Sequence, residues 1–346
     1  MKAVVLHETG PVDGFRYEEV PRPEVTPDHV IVKVRACAVA HRDLIERRGG
    51  HPFFQPPIIQ GHEFAGEVVE LGAGVKRWQP GDRVLCRYTD SCGFCDFCLQ
   101  GEERRCTGVR ESYGLTTNGG YAEYVSVHER GLERLAAGLS FEVGACMWSA
   151  VGVGYNNVVH KARVQPGEVV LVTGASGGVG LAALQSVKLL GAHAWALTTS
   201  EGKAERLREH GAEEVFVDDG THFHRQVRGL RPQGVDAVID CVGSSVLGSA
   251  IKATRPYGRI VCVGTIDPSP LSLNVGSLVV HAIDLLGSDN VTRKALAEAS
   301  ELVLAGRLEV VIDRVLPLAE AAQAHARLES RDVFGRIVLV PEGEGR

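Results

Sequence analysis

The sequence predicts an α/β protein of two domains, one rich in short β-strands and one built on a doubly wound parallel sheet. The chain has 346 residues, which exceeds the roughly 250 to 300 residues at which a single hydrophobic core stops growing. Short alternating apolar segments dominate up to about residue 150, and strand-like and helix-like segments alternate after it. Two cores of different architecture are therefore expected.

The first 150 residues consist of short segments in which apolar and polar residues alternate. Examples are HVIVKVRACAV at 29–39, EFAGEVVELG at 63–72 and GDRVLCRY at 81–88. Stretches rich in Gly and Pro, such as RRGGHPFFQPP at 47–57, separate them. A period of two residues is typical of strands with one buried face, and the frequent breaks favour short connections. This part of the chain is predicted to be a mostly antiparallel β domain.

A different rhythm, in which an apolar strand is followed by a helix, runs from about Pro166 to Gly287. The predicted strands are VVLVTG (169–174), HAWALTT (193–199), EEVFVDD (213–219), VDAVID (235–240), RIVCVG (259–264) and AIDLLGS (282–288). Candidate helices such as LAALQSVKLL at 181–190 and KAERLREHG at 203–211 lie between them. Six strands with helical crossovers predict a doubly wound parallel six-stranded sheet.

The last part of the chain is predicted to return to the first domain. It contains a candidate helix RKALAEASELVLAG at 293–306 and a final strand GRIVLV at 335–340. The predicted domains are therefore 1–150 with 291–346, and 151–290.

Composition excludes several classes of function. The net charge of −6 is spread along the chain without a basic block, so nucleic acid is not an expected partner. No apolar run reaches the roughly 20 residues of a membrane span, and the opening MKAVVLHETG lacks the apolar core of a secretion signal. We therefore expect a cytoplasmic protein without nucleic-acid or membrane partners.

A glycine-rich turn joins the first predicted strand of the second domain to its helix. Glycines allow a tight turn and close approach to a pyrophosphate, whose charge is met by free N–H groups at the helix start. The spacing from Gly174 to Gly177 to Gly180 departs by one residue from the commoner G-x-G-x-x-G. The strand, the turn, the helix and the following strand together predict a dinucleotide site. Its candidate residues are Gly174, Ser176, Gly177, Gly178 and Val179.

The end of the second strand of this domain bears on which dinucleotide is bound. An acidic residue there would bond the ribose 2′-OH and repel a 2′-phosphate, but none is present. Thr199 and Ser200 offer hydroxyl groups, and Lys203 with Arg206 can supply positive charge. NADPH is therefore expected rather than NADH. The alternative interpretation is that the two cations belong to a solvated helix face.

Four of the nine cysteines form a cluster with the spacing C-x2-C-x2-C-x7-C, namely Cys92, Cys95, Cys98 and Cys106. Short loops between thiolates allow four sulfurs to surround one Zn²⁺ tetrahedrally, which leaves no position for a substrate. A structural zinc lobe is therefore predicted at about residues 90–108. Disulfides and an iron–sulfur cluster are the alternatives, and the absence of an export signal disfavours disulfides.

These motifs together resemble the medium-chain dehydrogenase/reductase superfamily of zinc-containing alcohol dehydrogenases and quinone oxidoreductases. The resemblance rests on GHEFAGEVVELG, the four-cysteine lobe, GGYAEYV, VTGASGGVG and FGRIVLV, and it covers nearly the whole chain. It implies a GroES-like catalytic domain and a Rossmann domain. The segments HRDL, TTSEGKAE and GRIVCVGTIDPS are similar to those of NADPH-dependent acryloyl-CoA reductases.

The resemblance also implies where a catalytic zinc would lie. Zinc-dependent members use the cysteine of a C-x-T/S-D segment, the histidine of GHE and a third ligand, often cysteine, just before the Rossmann domain. In this chain the matching positions carry Ala40, His62 and Ala150, with Glu63 as an occasional extra ligand. One imidazole and one carboxylate hold Zn²⁺ poorly against water, so a site without catalytic zinc is expected. Ligation by His41 or Cys146 is the open alternative.

Superfamily members that lack this zinc transfer hydride to a carbon–carbon double bond conjugated with a carbonyl. The catalytic candidates are His41 and Arg42, with Asp43 as an orienting partner and His62 nearby. The alternatives are that Asp43 only caps a helix beginning at Leu44, that Arg42 is a surface charge and that His62 only packs. Further cofactor candidates, all implied by the resemblance, are Gly243, Gly264, Asn290 and, as a cofactor or structural residue, Arg336.

Two other functions stay open from the sequence. One is a zinc-dependent alcohol dehydrogenase with an atypical catalytic ligand set, and the other is a protein that binds NADPH without catalysis. The resemblance further implies a homodimer or homotetramer.

Overall fold

The computed structural model describes residues 1–108, 111–266, 269–288 and 290–342, which form two compact units. The first unit is Met1–Ser149 with Ile312–Arg346, and the second is Ala150–Val311. The fold class predicted from the sequence is confirmed, since the first unit is rich in β-strands and the second contains a six-stranded parallel sheet.

The first unit begins with strands separated by short helices. The strands are β1 (Lys2–Leu6), β2 (Phe15–Glu19), β3 (His29–Val39), β4 (Ile58–Ile59), β5 (Glu63–Leu71), β6 (Arg83–Cys86), β7 (Tyr124–His128) and β8 (Leu132–Arg134). The helices are α1 (His41–Arg47), α2 (Asp96–Leu99) and α3 (Phe141–Cys146). β2, β1 and β4 form a three-stranded antiparallel sheet in that order.

The second unit alternates strands and helices. Its strands are β9 (Val169–Thr173), β10 (His193–Thr198), β11 (Glu214–Val217), β12 (Val235–Asp240), β13 (Thr254–Cys262) and β14 (Asp284–Gly287). Its helices are α4 (Val153–Asn156), α5 (Gly178–Leu189), α6 (Ala204–Glu209), α7 (Phe223–Leu230), α8 (Ser244–Ala253), α9 (Val275–His281) and α10 (Arg293–Leu304). The strand order is β11-β10-β9-β12-β13-β14, with parallel pairing throughout. This order is typical of a doubly wound sheet, the class of sheet that the sequence predicts.

The chain then returns to the first unit through β15 (Ile312–Pro317), α11 (Ala321–Glu329) and β16 (Arg336–Val340). β16 lies between β15 and β3 in a sheet with the order β15-β16-β3-β5-β6-β8, and β7 also pairs with β3. All pairs except β15 with β16 are antiparallel. The final predicted strand is therefore an interior strand of the first unit's main sheet.

The residue at which the polypeptide returns from the second unit to the first differs from the sequence prediction. Residues 291–311, including α10, group with the second unit, whereas the sequence analysis assigned them to the first domain. The reason is packing, because Val291, Ala295 and Ala299 are buried within a unit that ends at Val311.

Burial explains why the two kinds of strand differ in sequence. Every residue of β9 is buried, as expected for a central parallel strand covered on both faces. In β7 the buried residues alternate with partly exposed ones, as expected for a strand that buries one face. In the parallel sheet the carboxyl ends of all strands meet at one edge, and the glycine-rich turn follows β9 there.

Among the described residues, no helix combines the length and the apolar character that crossing a bilayer requires.

Candidate active site

Asp43 lies in the first turn of α1 and is completely buried. Its Oδ2 accepts a hydrogen bond of 2.8 Å from the backbone N–H of Ala40, so the carboxylate caps the helix. Its Oδ1 accepts a second hydrogen bond of 2.9 Å from Nδ1 of His62. The helix begins at His41, three residues before the start expected at Leu44. One carboxylate therefore both caps the helix and holds the His62 ring.

His62 is buried between two carboxylates and has an exposed fraction of 4%. Its Nε2 lies 3.6 Å from Oε1 of Glu63, on the side away from Asp43. Oε1 of Glu63 in turn accepts a hydrogen bond of 2.9 Å from Nη2 of Arg336. Arg336 was expected to be either a cofactor residue or a structural residue. It is buried, and its bond to Glu63 fits the structural role. The imidazole is thus held by groups from α1, β5 and β16.

The carboxyl groups beside His62 have opposite pKa shifts. Burial opposes ionisation of Asp43, but the charge of His62 and its hydrogen bond outweigh burial and lower the pKa of the Asp43 carboxyl. Burial raises the pKa of Glu63, although Arg336 and His62 oppose that rise. Asp43 is therefore the firmly ionised partner of the imidazole.

Asp43 also contacts two buried aromatic residues that the sequence analysis did not identify. The hydroxyl of Tyr121 lies 3.3 Å from Oδ2 of Asp43, and Nε2 of His325 lies 3.1 Å from that hydroxyl. Both Tyr121 and His325 are fully buried. Tyr121 belongs to the GGYAEYV motif, which could have indicated it, whereas the helix α11 sequence around His325 contains no comparable signal.

Burial lowers the pKa of His325 to about 3, with Asp43 opposing the shift and Arg47 adding to it. The unfolded chain binds a proton at this ring below about pH 6.5, so the unfolded state binds more protons than the folded state between about pH 6.5 and pH 3. The free energy of unfolding therefore falls as the pH drops through this window, by at most about 1.4 kcal/mol per pH unit for this residue.

We expect His325→Leu to remove that slope, which denaturant titrations followed by circular dichroism between about pH 5.5 and pH 4 would measure. Phe15→Leu is the matched control, because the Phe15 ring packs 4.7 Å from the His325 ring and carries no titratable group. The control should lower the free energy of unfolding equally at every pH. Parallel pH profiles for the unmodified protein and His325→Leu would contradict the expectation.

Arg42 and His41 occupy a more open position than Asp43 and His62. Nε of Arg42 bonds Oε1 of Glu46 at 2.6 Å, and its Nη2 bonds Oγ of Ser112 at 3.2 Å. The guanidinium also lies over the Tyr88 ring, 4.5 Å from its centre. Arg42 is thus neither a free surface charge nor a partner of Asp43 in hydrogen bonding. His41 is the first residue of α1 and is partly buried.

Two of the positions that the resemblance assigns to ligands of a catalytic zinc carry alanine. Ala40 and Ala150 are buried and offer only methyl groups. Within the described parts of the chain, the only group of three or more His, Cys, Asp or Glu ligand atoms within 4.8 Å of one another is the four-cysteine lobe. Burial raises the pKa of Cys146 to about 12, which favours the neutral thiol. Among the described residues, neither His41 nor Cys146 belongs to a group of three such ligand atoms within that distance.

The four-cysteine lobe has the geometry of a closed metal site. The sulfurs of Cys92, Cys95, Cys98 and Cys106 all lie within 4.8 Å of one another. Backbone N–H groups of Cys95 and Gly108 donate to the sulfurs of Cys92 and Cys106 at 3.4 and 3.3 Å. Four thiolates at this spacing suit the tetrahedral coordination of Zn²⁺. The lobe thus fits a structural zinc.

The glycine-rich turn in the second unit opens α5. Gly174 follows β9 with φ of +57°, a conformation that favours glycine. A Cβ on Gly180 would lie 2.4 Å from the carbonyl oxygen of Gly174, so this close approach requires glycine. Gly177 precedes the first residue of α5 and no side chain caps the helix. The first N–H groups, on Gly178 and Val179, can therefore meet a phosphate, with Ser176 in the same turn.

The other predicted cofactor residues follow neighbouring strands at the same edge of the sheet. Thr199 and Ser200 follow β10, and Lys203 immediately precedes α6. Gly243 follows β12 with φ of +102°, and a Cβ on it would lie 2.9 Å from the carbonyl oxygen of Gly264.

Two further predicted cofactor residues, Gly264 and Asn290, follow β13 and β14. Gly264 is tightly constrained, because a Cβ on it would lie 2.1 Å from the carbonyl oxygen of Cys241. Asn290 has φ of +70°, and its carbonyl oxygen accepts a hydrogen bond of 2.7 Å from Nδ2 of Asn156. The structure thus gathers these residues at one edge, and their contact with a cofactor stays a prediction.

Comparison with known proteins agrees with this architecture. The family model described as alcohol dehydrogenase GroES-like domain matches residues 26–137, and the model described as zinc-binding dehydrogenase matches residues 210–339. The acryloyl-coenzyme A reductase of Sulfurisphaera tokodaii is 32% identical over 99% of this chain and 100% of its own length. An alcohol dehydrogenase of Geobacillus stearothermophilus is also 32% identical, over 98% of this chain and 99% of its own length.

A solved structure agrees as well. The crystal structure of AibC matches with a TM-score of 0.90 and 39% identity, over 99% of this chain and 96% of that one. The chain therefore belongs to the medium-chain dehydrogenase/reductase superfamily and is an oxidoreductase of the alcohol dehydrogenase family.

Proposed function

We propose that this protein reduces a carbon–carbon double bond conjugated with a carbonyl, using NADPH and no catalytic zinc. The substrate is a small molecule, either a short enoyl-CoA such as acryloyl-CoA or a related enal or quinone. The observation that carries the proposal is the pairing of buried Ala40 and Ala150 with an intact glycine-rich turn. The alanines remove the ligands of a Lewis acid, whereas the turn retains the site for a hydride donor. The similarity to an acryloyl-coenzyme A reductase supports the same substrate class.

In this reaction bound NADPH supplies the hydride that reaches the carbon β to the carbonyl, and a proton must reach the α-carbon. His62 is the residue we propose to hold that proton. Its Nδ1 donates to Asp43, and its Nε2 lies 3.6 Å from Oε1 of Glu63, so Nε2 is the ring atom at which we propose the proton is exchanged. Arg336 compensates part of the negative charge through its contact with Glu63. We propose that His41 and Arg42 bind and orient the substrate carbonyl from the start of α1.

The cofactor preference follows from the end of β10. Ser200 and Lys203 stand where an acidic residue would select NADH, and a lysine bond to a 2′-phosphate is charge-assisted. Lys203→Ala should weaken NADPH binding by roughly 1.5 to 3 kcal/mol, about 10- to 150-fold, without a comparable effect on NADH. Isothermal titration calorimetry with both cofactors measures this. Lys252→Ala, on α8, is the control, and equal affinities of the unmodified protein for NADPH and NADH would contradict the preference.

The direct test of the proposed reaction is a substrate screen. NADPH consumption is followed with acryloyl-CoA, an enal and a quinone, beside NADP⁺ reduction with ethanol and longer alcohols. We expect reduction of at least one activated alkene or quinone and poor oxidation of simple alcohols. Robust alcohol oxidation that a chelator abolishes, without any alkene or quinone reduction, would show that the proposal is wrong.

A zinc-dependent alcohol dehydrogenase with an atypical ligand set is the second candidate, because an alcohol dehydrogenase is 32% identical over nearly the same length. The metal content separates the two functions. Our proposal requires one zinc per chain, bound by the cysteine lobe, whereas the alternative requires two. A non-enzymatic NADPH-binding protein would contain one zinc and reduce none of the three substrates.

We further propose a homodimer or homotetramer. The edge strand β14 has partly exposed Leu285, and Val279 and Val280 on neighbouring α9 are 73% and 79% exposed. Exposed apolar groups beside an unpaired sheet edge favour association with a second copy. Sedimentation velocity should give two or four chains per particle, and a monomer at micromolar concentration would contradict this.

A further inference from the structure

A continuous hydrogen-bonded chain of buried side chains extends behind His62. It runs from His62 Nδ1 to Asp43 at 2.9 Å, from Asp43 to the Tyr121 hydroxyl at 3.3 Å and from there to His325 Nε2 at 3.1 Å. Asp43, Tyr121 and His325 are fully buried, and His62 is 4% exposed. All four residues belong to the first unit. In a buried environment the low dielectric strengthens each of these hydrogen bonds.

The chemistry of the four groups fixes the direction of every hydrogen bond. An ionised carboxylate only accepts, so both the Tyr121 hydroxyl and His62 Nδ1 donate to Asp43. The hydroxyl has then used its only hydrogen, so its oxygen accepts from Nε2 of His325. Donation from His325 fixes the rotation of the Tyr121 hydroxyl. The donors from Tyr121 and Ala40 both reach Oδ2, which leaves Oδ1 of Asp43 for His62.

A packing role alone does not explain His325. Its Nδ1 is buried and has no hydrogen-bond partner among the described residues. An apolar side chain would avoid the cost of burying that nitrogen next to the ring of Phe15. What a leucine could not provide is the N–H group that holds the Tyr121 hydroxyl.

We propose that Tyr121 and His325 are positioning residues that fix Asp43, and through it the orientation and the Nδ1–H tautomer of His62. The effect on turnover rests on the reaction proposed above, whereas the effect on the imidazole does not. Removing a group that orients a metal-ligating imidazole typically costs about 10- to 100-fold in activity, and we expect the same scale for the imidazole here. The loss of the Tyr121 hydroxyl is expected at the lower end of that range, since Asp43 itself remains.

The test compares four variants of the full-length protein. Tyr121→Phe removes one hydroxyl, His325→Leu removes the donor, and His325→Gln retains an N–H group near the position of Nε2. Tyr113→Phe is the matched control. Tyr113 is also fully buried, and its hydroxyl donates at 3.0 Å to Glu111, which is not part of the hydrogen-bonded series from His62 to His325. Nitrogen NMR of ¹⁵N-histidine-labelled protein reports the tautomer of His62, with His62→Gln used for assignment. Steady-state kinetics with acryloyl-CoA gives kcat and KM.

We expect Tyr121→Phe and His325→Leu to introduce the second tautomer of His62 and to lower kcat about 10-fold with little change in KM for NADPH. His325→Gln should restore both, and Tyr113→Phe should alter neither. Unchanged His62 nitrogen shifts in both variants, or a fall in kcat that Tyr113→Phe reproduces, would overturn the proposal. If the unmodified protein reduces no substrate, the proposed function fails, and the nitrogen spectra still decide the positioning role. If His325→Leu does not fold, Tyr121→Phe and His325→Gln decide it.

Discussion

Asp43→Asn is expected to lower kcat by about 10²- to 10⁴-fold while the protein stays folded. The physical reason is the pattern of donors around this carboxylate. The Ala40 N–H and the Tyr121 hydroxyl both point at Oδ2, so an asparagine must place its carbonyl oxygen there. Its NH₂ group then faces His62 and forces Nδ1 to accept, which moves the ring proton to Nε2 in the neutral ring. The result is the opposite tautomer of His62.

The measurement is kcat for NADPH oxidation with an activated alkene, together with the thermal midpoint of the variant. Asp236→Asn is the control, since Asp236 is a buried aspartate of the second unit that accepts the N–H of Val169 at 2.8 Å. The Asp236→Asn variant should be less stable but keep kcat within about two-fold of the unmodified value. Asp236 makes no contact with the hydrogen-bonded residues from His62 to His325. A kcat for Asp43→Asn within about three-fold of the unmodified value would refute the role of the tautomer.

Cys98→Ser is expected to abolish zinc binding by the cysteine lobe and to destabilise the first unit. The sulfur of Cys98 lies 3.9 Å from that of Cys92 and 3.5 Å from that of Cys95. A hydroxyl does not replace a thiolate ligand, and structural zinc sites contribute free energy to folding directly. With an assumed loss of about 3 kcal/mol, the thermal midpoint falls by roughly 6 to 12 °C.

Metal analysis and differential scanning calorimetry together check this result. The unmodified protein should contain one zinc per chain, and Cys98→Ser should contain almost none. Cys262→Ser is the control, because Cys262 ends β13 of the second unit, and its zinc content should match that of the unmodified protein. Retention of one zinc by Cys98→Ser, or two tightly bound zincs in the unmodified protein, would contradict the assignment of a single structural site.

The parallel sheet and the glycine-rich turn could be predicted because their signals are local. A run such as VVLVT is buried on both faces, so its apolar character is continuous and readable without knowledge of its partners. The turn is similarly encoded, since a close approach like that of Gly180 to Gly174 permits only glycine. The end of the second unit was misplaced for the converse reason. Whether a helix such as Arg293–Leu304 packs on one unit or the other depends on contacts that its own periodicity does not specify.

The candidate site was predicted only in part, because its remaining members are distant in sequence. Asp43 and His62 were identified together, yet the contacts that complete the site join Tyr121 to His325 across 204 positions and Glu63 to Arg336 across 273. The ion pair between Arg42 and Glu46 was accessible from the sequence, since four residues separate them on one helix. No pattern in a single sequence couples residues hundreds of positions apart.

The place of β16 has a consequence for how the protein is made. The second unit is one uninterrupted stretch and can fold on the ribosome as soon as Val311 has emerged. The sheet of the first unit cannot be completed then, because β16 must insert between β15 and β3, and β3 is synthesised about 300 residues earlier. Until that late strand arrives, the end of β3 at Cys37–Val39 lacks its partner on this side and Glu63 lacks Arg336. The carboxylate site beside His62 is therefore assembled among the last steps of biosynthesis, after the second unit.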